Sequence, residues 1–422
     1  MNRAPEIARR AERFDEVERA DPVMASIHLA AACGWMAALT IARAPEGIAF
    51  GILAAVAVAR LPRTARLYPA LFACGAFVLL VGFAEWQGLS TLWSRAARLG
   101  ANDFVPRFAF VPLLLWPVMN RWRVLLTAFV SAATVHGILV AVVYLARFGG
   151  TPGAGSGVFT SDIGVTGLTL AIAVPALGGR PIVAGWVGWA TRISAAGACV
   201  TGITMLGQRM PPMAAMAGAA AAFGRGVRGP RRAWRLPLAA FVGGTAIAVA
   251  MLVASPRNRG WISDVSGLLS GRAQEATTDA MFLASSARVP LARVAIDVWQ
   301  DHPMIGSGSR GFAMENASRV ATDPAAYGVP GPYAQAFSSL TCAHNAFLDE
   351  AAERGIIGVV LLAALMAACW RDAWRNDPWS GTAGMMATWT VACLTQSMTV
   401  RGVPMMLLAV IVTRVCAVER ET

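Results

Sequence analysis

The sequence predicts an all-α polytopic membrane protein. About twelve transmembrane helices are expected, with one long, partly helical extramembrane loop between the ninth and the tenth. Three observations predict this. Of the 422 residues, 56% are hydrophobic and only 14% are charged, against roughly 45–50% and about 25% in soluble domains. Mean hydropathy is +0.54. The apolar residues also fall in runs separated by short arginine-bearing stretches. A dozen spans of about 20 residues would use about 240 residues, a little over half the chain. A soluble enzyme, a fibrous protein and a disordered chain are excluded, because a soluble surface needs more charge to cover it.

The elements follow in order. Residues 7–20 alternate acids and arginines, the pattern of a short solvated helix, and lack the apolar run of a cleavable signal peptide. Twelve apolar runs follow, near 24–42, 46–60, 67–85, 107–120, 124–146, 162–178, 181–205, 211–223, 236–254, 346–370, 381–399 and 403–418. Small residues over 214–222 predict close helix packing there. The expected organisation is a tail at 1–23, nine spans over 24–254, a loop domain at 255–344, and three spans with a short tail over 345–422.

Charge gives the orientation. All 36 basic residues are arginine, against 24 acids, for a net charge of +12. Arg60, Arg63 and Arg66 share one predicted loop, Arg121 and Arg123 another, and Arg225, Arg228, Arg231, Arg232 and Arg235 a third. With twelve spans these fall on one face together with both termini, and the positive-inside rule makes that face cytoplasmic. Nucleic-acid binding is not expected, because the arginines lie between spans and not on one soluble face. Arg43, Arg95, Arg98, Arg107, Arg147, Arg209 and Arg401 remain on the opposite face, where function is sought.

Two stretches on that opposite face have recognisable patterns. From Arg288 to Trp299, Leu291, Val294, Ala295 and Val298 repeat at helical spacing. Pro303 stops this helix, and Gly306, Gly308 and Gly311 form a tight turn. Over 86–104, Trp86, Leu89, Leu92, Trp93 and Leu99 fit an interfacial helix lying on the membrane surface. The seven cysteines (Cys33, Cys74, Cys199, Cys342, Cys369, Cys393 and Cys416) show neither a pairing pattern nor metal spacing, and read as small apolar residues.

The strongest chemical signal closes the long loop. His344 and Asn345 are followed by nine residues, then Gly355 and Gly358, where the chain enters an apolar run. Upstream stand Arg288, Pro303, Gly306, Gly308 and Phe312, and further upstream Gly207, Gln208 and Arg209. An active site outside the cytoplasm has no ATP and needs a pre-activated donor, and a lipid diphosphate sugar is one already in the membrane. The leaving diphosphate needs positive charge. No Asp-x-Asp or His/carboxylate ligand cluster stands in the external segment to hold a metal, whereas Arg209 and Arg288 can make bidentate phosphate contacts. His344 has an unperturbed pKa near ~6.5, so it can take a proton from a sugar hydroxyl or hydrogen-bond it in place. Arg209 can equally snorkel to lipid phosphates. Arg192 lies inside a predicted span, where an ionisable residue suggests function. Asp349, Glu350 and Glu353 can orient His344, bind acceptor sugar, or simply complement the helix dipole.

These motifs resemble the O-antigen ligase family, part of a larger group with O-antigen polymerases and protein O-oligosaccharyltransferases. The pattern H-[N/S/Q]-x9-G-x-x-G is matched from His344 to Gly358. Arg288 with Pro303, Gly306, Gly308 and Phe312 resembles the family's arginine and Pro-Gly-Gly-Phe stretch. Gly207-Gln208-Arg209 resembles its short Ser-Arg element, with Gln208 in place of the hydroxyl residue. The resemblance implies a GT-C-like glycosyltransferase of a Gram-negative inner membrane with a periplasmic active site. It implies transfer of O-antigen polysaccharide from undecaprenyl diphosphate to a sugar hydroxyl of lipid A-core, inverting and without metal or other cofactor. Arg288 and Arg209 would hold the diphosphate, with Asn345 and Arg192 as further substrate-binding residues, and His344 would serve the acceptor hydroxyl. The stretch from Trp86 to Arg98 would help hold lipid. A polymerase of the same group would use a second lipid-linked glycan as acceptor, and often has two sizeable external loops. A transporter would show inverted repeats or paired charges within spans, and little of either is visible.

Overall fold

The computed structural model describes residues 4–41, 43–96, 98–148, 163–177, 185–206, 210–226, 287–375, 380–399 and 402–417. Every regular element among them is helical. Four segments are long and apolar enough to cross a membrane: Ala44–Phe72, Gly75–Leu92, Arg107–Arg147 and Ala346–Arg375. Pro22–Ala38, Val165–Ala176 and Gly402–Ala417 are shorter apolar helices. The protein is a helical, polytopic membrane protein. The expected span at 236–254 and the first part of the loop domain lie outside the described residues.

One end of the bundle gathers the predicted arginine loops. Arg63 pairs with Asp21, Arg66 with Glu16 at 3.5 Å, and Arg121 with Glu18 at 2.9 Å. The acids come from the Ala4–Ala20 helix and the residue that follows it. That helix is not fully solvated as expected: Phe14 and Val17 are buried, and Phe14 meets the edge of Trp116. Its period places one apolar stripe on the bundle while the charged faces stay in water.

The run from Arg107 to Arg121 connects the two ends. Arg107 pairs at 3.6 Å with Glu46, at the start of the Arg43–Thr64 helix, and Arg121 pairs with Glu18 at the opposite end. Only fifteen residues lie in this run, but ten are in 3₁₀ turns, Arg107–Phe110 and Trp116–Arg121, around the α-helical Val111–Leu115. At ~2.0 Å rise per 3₁₀ residue and ~1.5 Å per α residue, the run covers about 27 Å, close to the thickness of a bilayer core. Pro117 helps open the turn: it has no N–H for the Leu113 carbonyl, which accepts from the Tyr68 hydroxyl at 3.2 Å.

Three sequence expectations are corrected. Arg60 and Arg63 do not sit in a loop, since the Arg43–Thr64 helix includes both. Arg60 is buried there and donates from Nη1 to His28 Nδ1 at 3.1 Å. Because a guanidinium only donates, Nδ1 must accept, and His28 Nε2 carries the proton donated to the Leu114 carbonyl at 2.9 Å. Cys74 and Cys416 are not separate apolar residues. They form a disulfide with Cα atoms 5.7 Å apart, joining the start of the Gly75–Leu89 helix to the end of the Gly402–Ala417 helix. The surface helix expected at 86–104 is also absent. Trp86 and Leu89 finish the Gly75–Leu89 helix, and a 3₁₀ turn follows at Ser90–Leu92. The Ser90 and Thr91 hydroxyls donate back to the Gln87 and Gly88 carbonyls at 2.7 and 2.6 Å, competing with continuation of the helix.

The small residues at 214–222 do pack closely. The Met210–Gly226 helix lies against Ser380–Cys393, and a Cβ added to Gly384 would stand 2.7 Å from the Gly218 carbonyl. A second, smaller core sits at the other end of the molecule. Leu291, Val294, Ala295 and Val298 of the Arg288–Asp301 helix pack with Phe312, Phe337, Ala343 and Ala352. The expected helix at 288–299 is therefore present, and its predicted apolar stripe is its buried face.

Candidate functional site

The site is organised around a break in one helix. Ala346–Arg375 is interrupted at Gly355, whose φ of 66° and ψ of −165° are not helical. The backbone groups beside the break bond to other elements. The Ile356 N–H donates to the Pro303 carbonyl at 2.9 Å. The Ala352 carbonyl accepts from the Ser307 N–H at 2.8 Å and from its hydroxyl at 2.9 Å, and the Glu353 carbonyl accepts from the Gly308 N–H at 2.8 Å. The Arg354 carbonyl accepts from the Trp86 indole at 3.1 Å. Buried polar groups of this kind need partners, and two distant segments, the 303–308 loop and the end of the Gly75–Leu89 helix, supply them.

This explains the motif glycines physically. Gly306 has φ of 70°, and a Cβ there would overlap the Glu353–Arg354 peptide. On Gly355 a Cβ would overlap the Met304 carbonyl. The two chains meet backbone to backbone, at left-handed angles that glycine adopts at little steric cost. Gly308 fits similarly against Ser94, while Ser90 Oγ and Ser309 Oγ lie 2.7 Å apart. The 303–312 loop is thus clamped between the 346–354 helix and the end of Gly75–Leu89.

Arg288 and His344 each begin a stretch that leads to the Pro303–Ile356 hydrogen bond, and the Arg288–Asp301 helix shares one apolar core with Ala343 and Ala352 of the motif stretch. Arg288 is the first residue of its helix and is half-buried, and burial holds its guanidinium below the usual arginine range. Ala287 gives that helix no side-chain cap. A guanidinium at the start of a helix without a side-chain cap is suited to a phosphate.

His344 is half-buried and takes a left-handed φ of 55°. The neighbours on both sides are fixed. Asn345 Oδ1 accepts from the Phe347 and Leu348 N–H groups at 2.9 and 3.2 Å, and its Nδ2 donates to the Leu394 carbonyl at 3.1 Å. It is the N-cap of the motif helix. On the other side, the Ala343 N–H donates to Asp349 Oδ1 at 2.7 Å. Behind His344 lies a buried polar cluster of Asp349, Glu350, Glu353 and Arg354. Arg354 reaches Glu350 at 2.6 Å and Glu353 at 3.4 Å. The Ser397 and Thr399 hydroxyls face Asp349 and Glu350 without closing well-formed hydrogen bonds.

Of the other predicted site residues, Arg192 is half-buried on the Gly185–Met205 helix, and Arg209 lies outside the described residues. Trp86 and Ser307 were not predicted to tie the joint. Trp86 stood out only as an aromatic residue near an interface, and Ser307 carried no signal of its own. Among the described residues, no three His, Cys, Asp or Glu side chains are grouped to hold a metal ion.

The family model for O-antigen ligase matches residues 194–363, which include the Arg288 helix, the clamped loop and the motif helix through its break. No curated protein matches the chain. The match covers 170 of the 422 residues, so it is a likeness to that family over part of the chain.

Proposed function

We propose that this chain, which carries the O-antigen ligase family domain over residues 194–363, is the ligase that completes lipopolysaccharide. It transfers O-antigen polysaccharide from undecaprenyl diphosphate to a sugar hydroxyl of lipid A-core, on the periplasmic side of the inner membrane. The observation that carries this reading is the family match over residues 194–363, which takes in both Arg288 and His344 on stretches joined at the Pro303–Ile356 hydrogen bond. It supports a donor diphosphate beside Arg288 and an acceptor hydroxyl beside His344.

In the reaction, the acceptor oxygen attacks the anomeric carbon from the face opposite the diphosphate. The new C–O bond forms as the C–O bond to the diphosphate breaks, so the configuration inverts. His344 takes the hydroxyl proton or holds the hydroxyl in line. Arg288 and Arg209 stabilise the charge that builds on the leaving diphosphate, the task a metal performs in many soluble sugar transferases. Asn345 orients His344 as the helix cap, and Arg192 contacts the donor lipid. Twelve spans place both termini in the cytoplasm.

The test is a deletion strain. Its lipopolysaccharide is run on a gel, and its lipid-linked glycans are measured. The ligase reading expects long O-antigen on the carrier and bare lipid A-core. Single repeat units on the core, without long chains, would instead identify a polymerase. An unchanged profile would contradict both.

A further inference from the structure

We propose that Asp349 is a positioning residue for His344, an inference that rests on the role given to His344 above. Asp349 is fully buried on the first turns of the motif helix. A carboxylate that only complemented the helix dipole would gain most at the exposed surface, where desolvation costs little. Asp349 instead points one oxygen backwards, out of the helix, to the Ala343 N–H at 2.7 Å. Ala343 directly precedes His344, whose φ of 55° is uncommon for a residue with a Cβ. Such a conformation persists where the surroundings over-determine it.

The restraint is double. Asn345 fixes the chain after His344 through its cap and its bond to Leu394. Asp349 fixes the chain before it, and its own N–H returns to the Asn345 carbonyl at 2.9 Å. The histidine is therefore held between two anchored peptides. The second Asp349 oxygen is buried, facing the Ser397 hydroxyl of the segment between Ser380–Cys393 and Gly402–Ala417. Asp349 thus lies between the His344 backbone and that segment.

The accepting oxygen matters here, and the charge does not. Asp349→Asn retains an oxygen for the Ala343 N–H, and its amide can donate to Ser397. Asp349→Ala removes the acceptor, and Asp349→Ser leaves an oxygen too short to reach. The chain has four histidines, so ¹³C-histidine spectra of the full-length protein in micelles report His344 beside three internal controls. Asp349→Ala should move the His344 ring resonances and leave those of His28, His136 and His302 in place. Asp349→Asn should leave all four. If the alanine variant disturbs all four and so has not folded, Asp349→Ser is the deciding variant, with the same displacement expected. A folded Asp349→Ala or Asp349→Ser protein with unmoved His344 resonances would overturn the proposal.

Kinetics supply the second arm. Asp349→Ala should lower kcat at least about tenfold, with the KM for a lipid-linked donor within about twofold, because misplacing a reacting group acts on the chemical step. Asp349→Asn should restore kcat to within about threefold of the parent. Equal loss in both variants would assign Asp349 a charge-dependent role and contradict positioning. If His344→Ala itself transfers normally, the functional reading fails, while the spectra still decide whether Asp349 holds His344.

Discussion

The indole N–H of Trp86 donates to the Arg354 carbonyl at 3.1 Å across 268 positions of sequence. The bond joins the end of the Gly75–Leu89 helix to the helix that begins beside His344. It is part of the joint in which the Gly355 break is bonded to the 303–308 loop. The motif helix is therefore held at its break by two segments far away in sequence, and changes at the joint should reach the site.

Trp86→Phe removes the donor and keeps most of the ring. A lost hydrogen bond to a part-buried carbonyl should cost about 1–2 kcal/mol. Thermal unfolding in detergent should show a lower Tm, and transfer should slow without being abolished. An unchanged Tm would mean that water replaces the indole at no cost.

Gly355→Ala should be far more damaging. The backbone angle alone costs about 1–3 kcal/mol for a residue with a Cβ, and the Cβ would overlap the Met304 carbonyl. We expect poor recovery of folded protein, measured by size-exclusion chromatography. Gly51→Ala, where a Cβ meets open space on a helix, should be neutral or stabilising by up to about 1 kcal/mol. Similar behaviour of the two variants would contradict the joint.

Arg288→Ala should reduce kcat by about 10²–10³, the loss typical of one electrostatic contact to a leaving group or oxyanion. Arg288→Lys should recover only part of it, because an ammonium cannot form the bidentate contact. Full activity of Arg288→Ala in a purified transfer assay would remove Arg288 from the donor site.

Metal chelation should leave the rate unchanged. Transfer in excess EDTA is expected within about twofold of the untreated rate, since guanidinium groups supply the positive charge. Loss of activity that added magnesium restores would contradict this part of the mechanism.

Much of the fold was legible in the sequence because it rests on period and composition. Leu291, Val294, Ala295 and Val298 recur at helical spacing, and all four are buried on one face. The arginines at 63, 66 and 121 gather at one end because Glu16 and Glu18 of the first helix and Asp21 just after it await them there. The motif spacing located His344 and the two glycines. It did not reveal that Gly355 breaks the helix, because that depends on Met304 and Trp86 lying against it. The disulfide was hidden for the same reason, with 342 positions between Cys74 and Cys416. At 86–104 the apolar spacing suggested one helix, but Ser90 and Thr91 bond back to the preceding turn and end it. Asn345 looked like a substrate contact, and its side chain atoms bond the backbone of Phe347, Leu348 and Leu394.

The most direct measurement combines purified chain with undecaprenyl-diphosphate-linked O-antigen and lipid A-core, and follows polysaccharide onto the core by gel. The parent protein should produce the high-mass conjugate, and a folded, membrane-inserted His344→Ala protein should produce none. Normal transfer by His344→Ala, or no transfer by the parent to lipid A-core, would contradict the account.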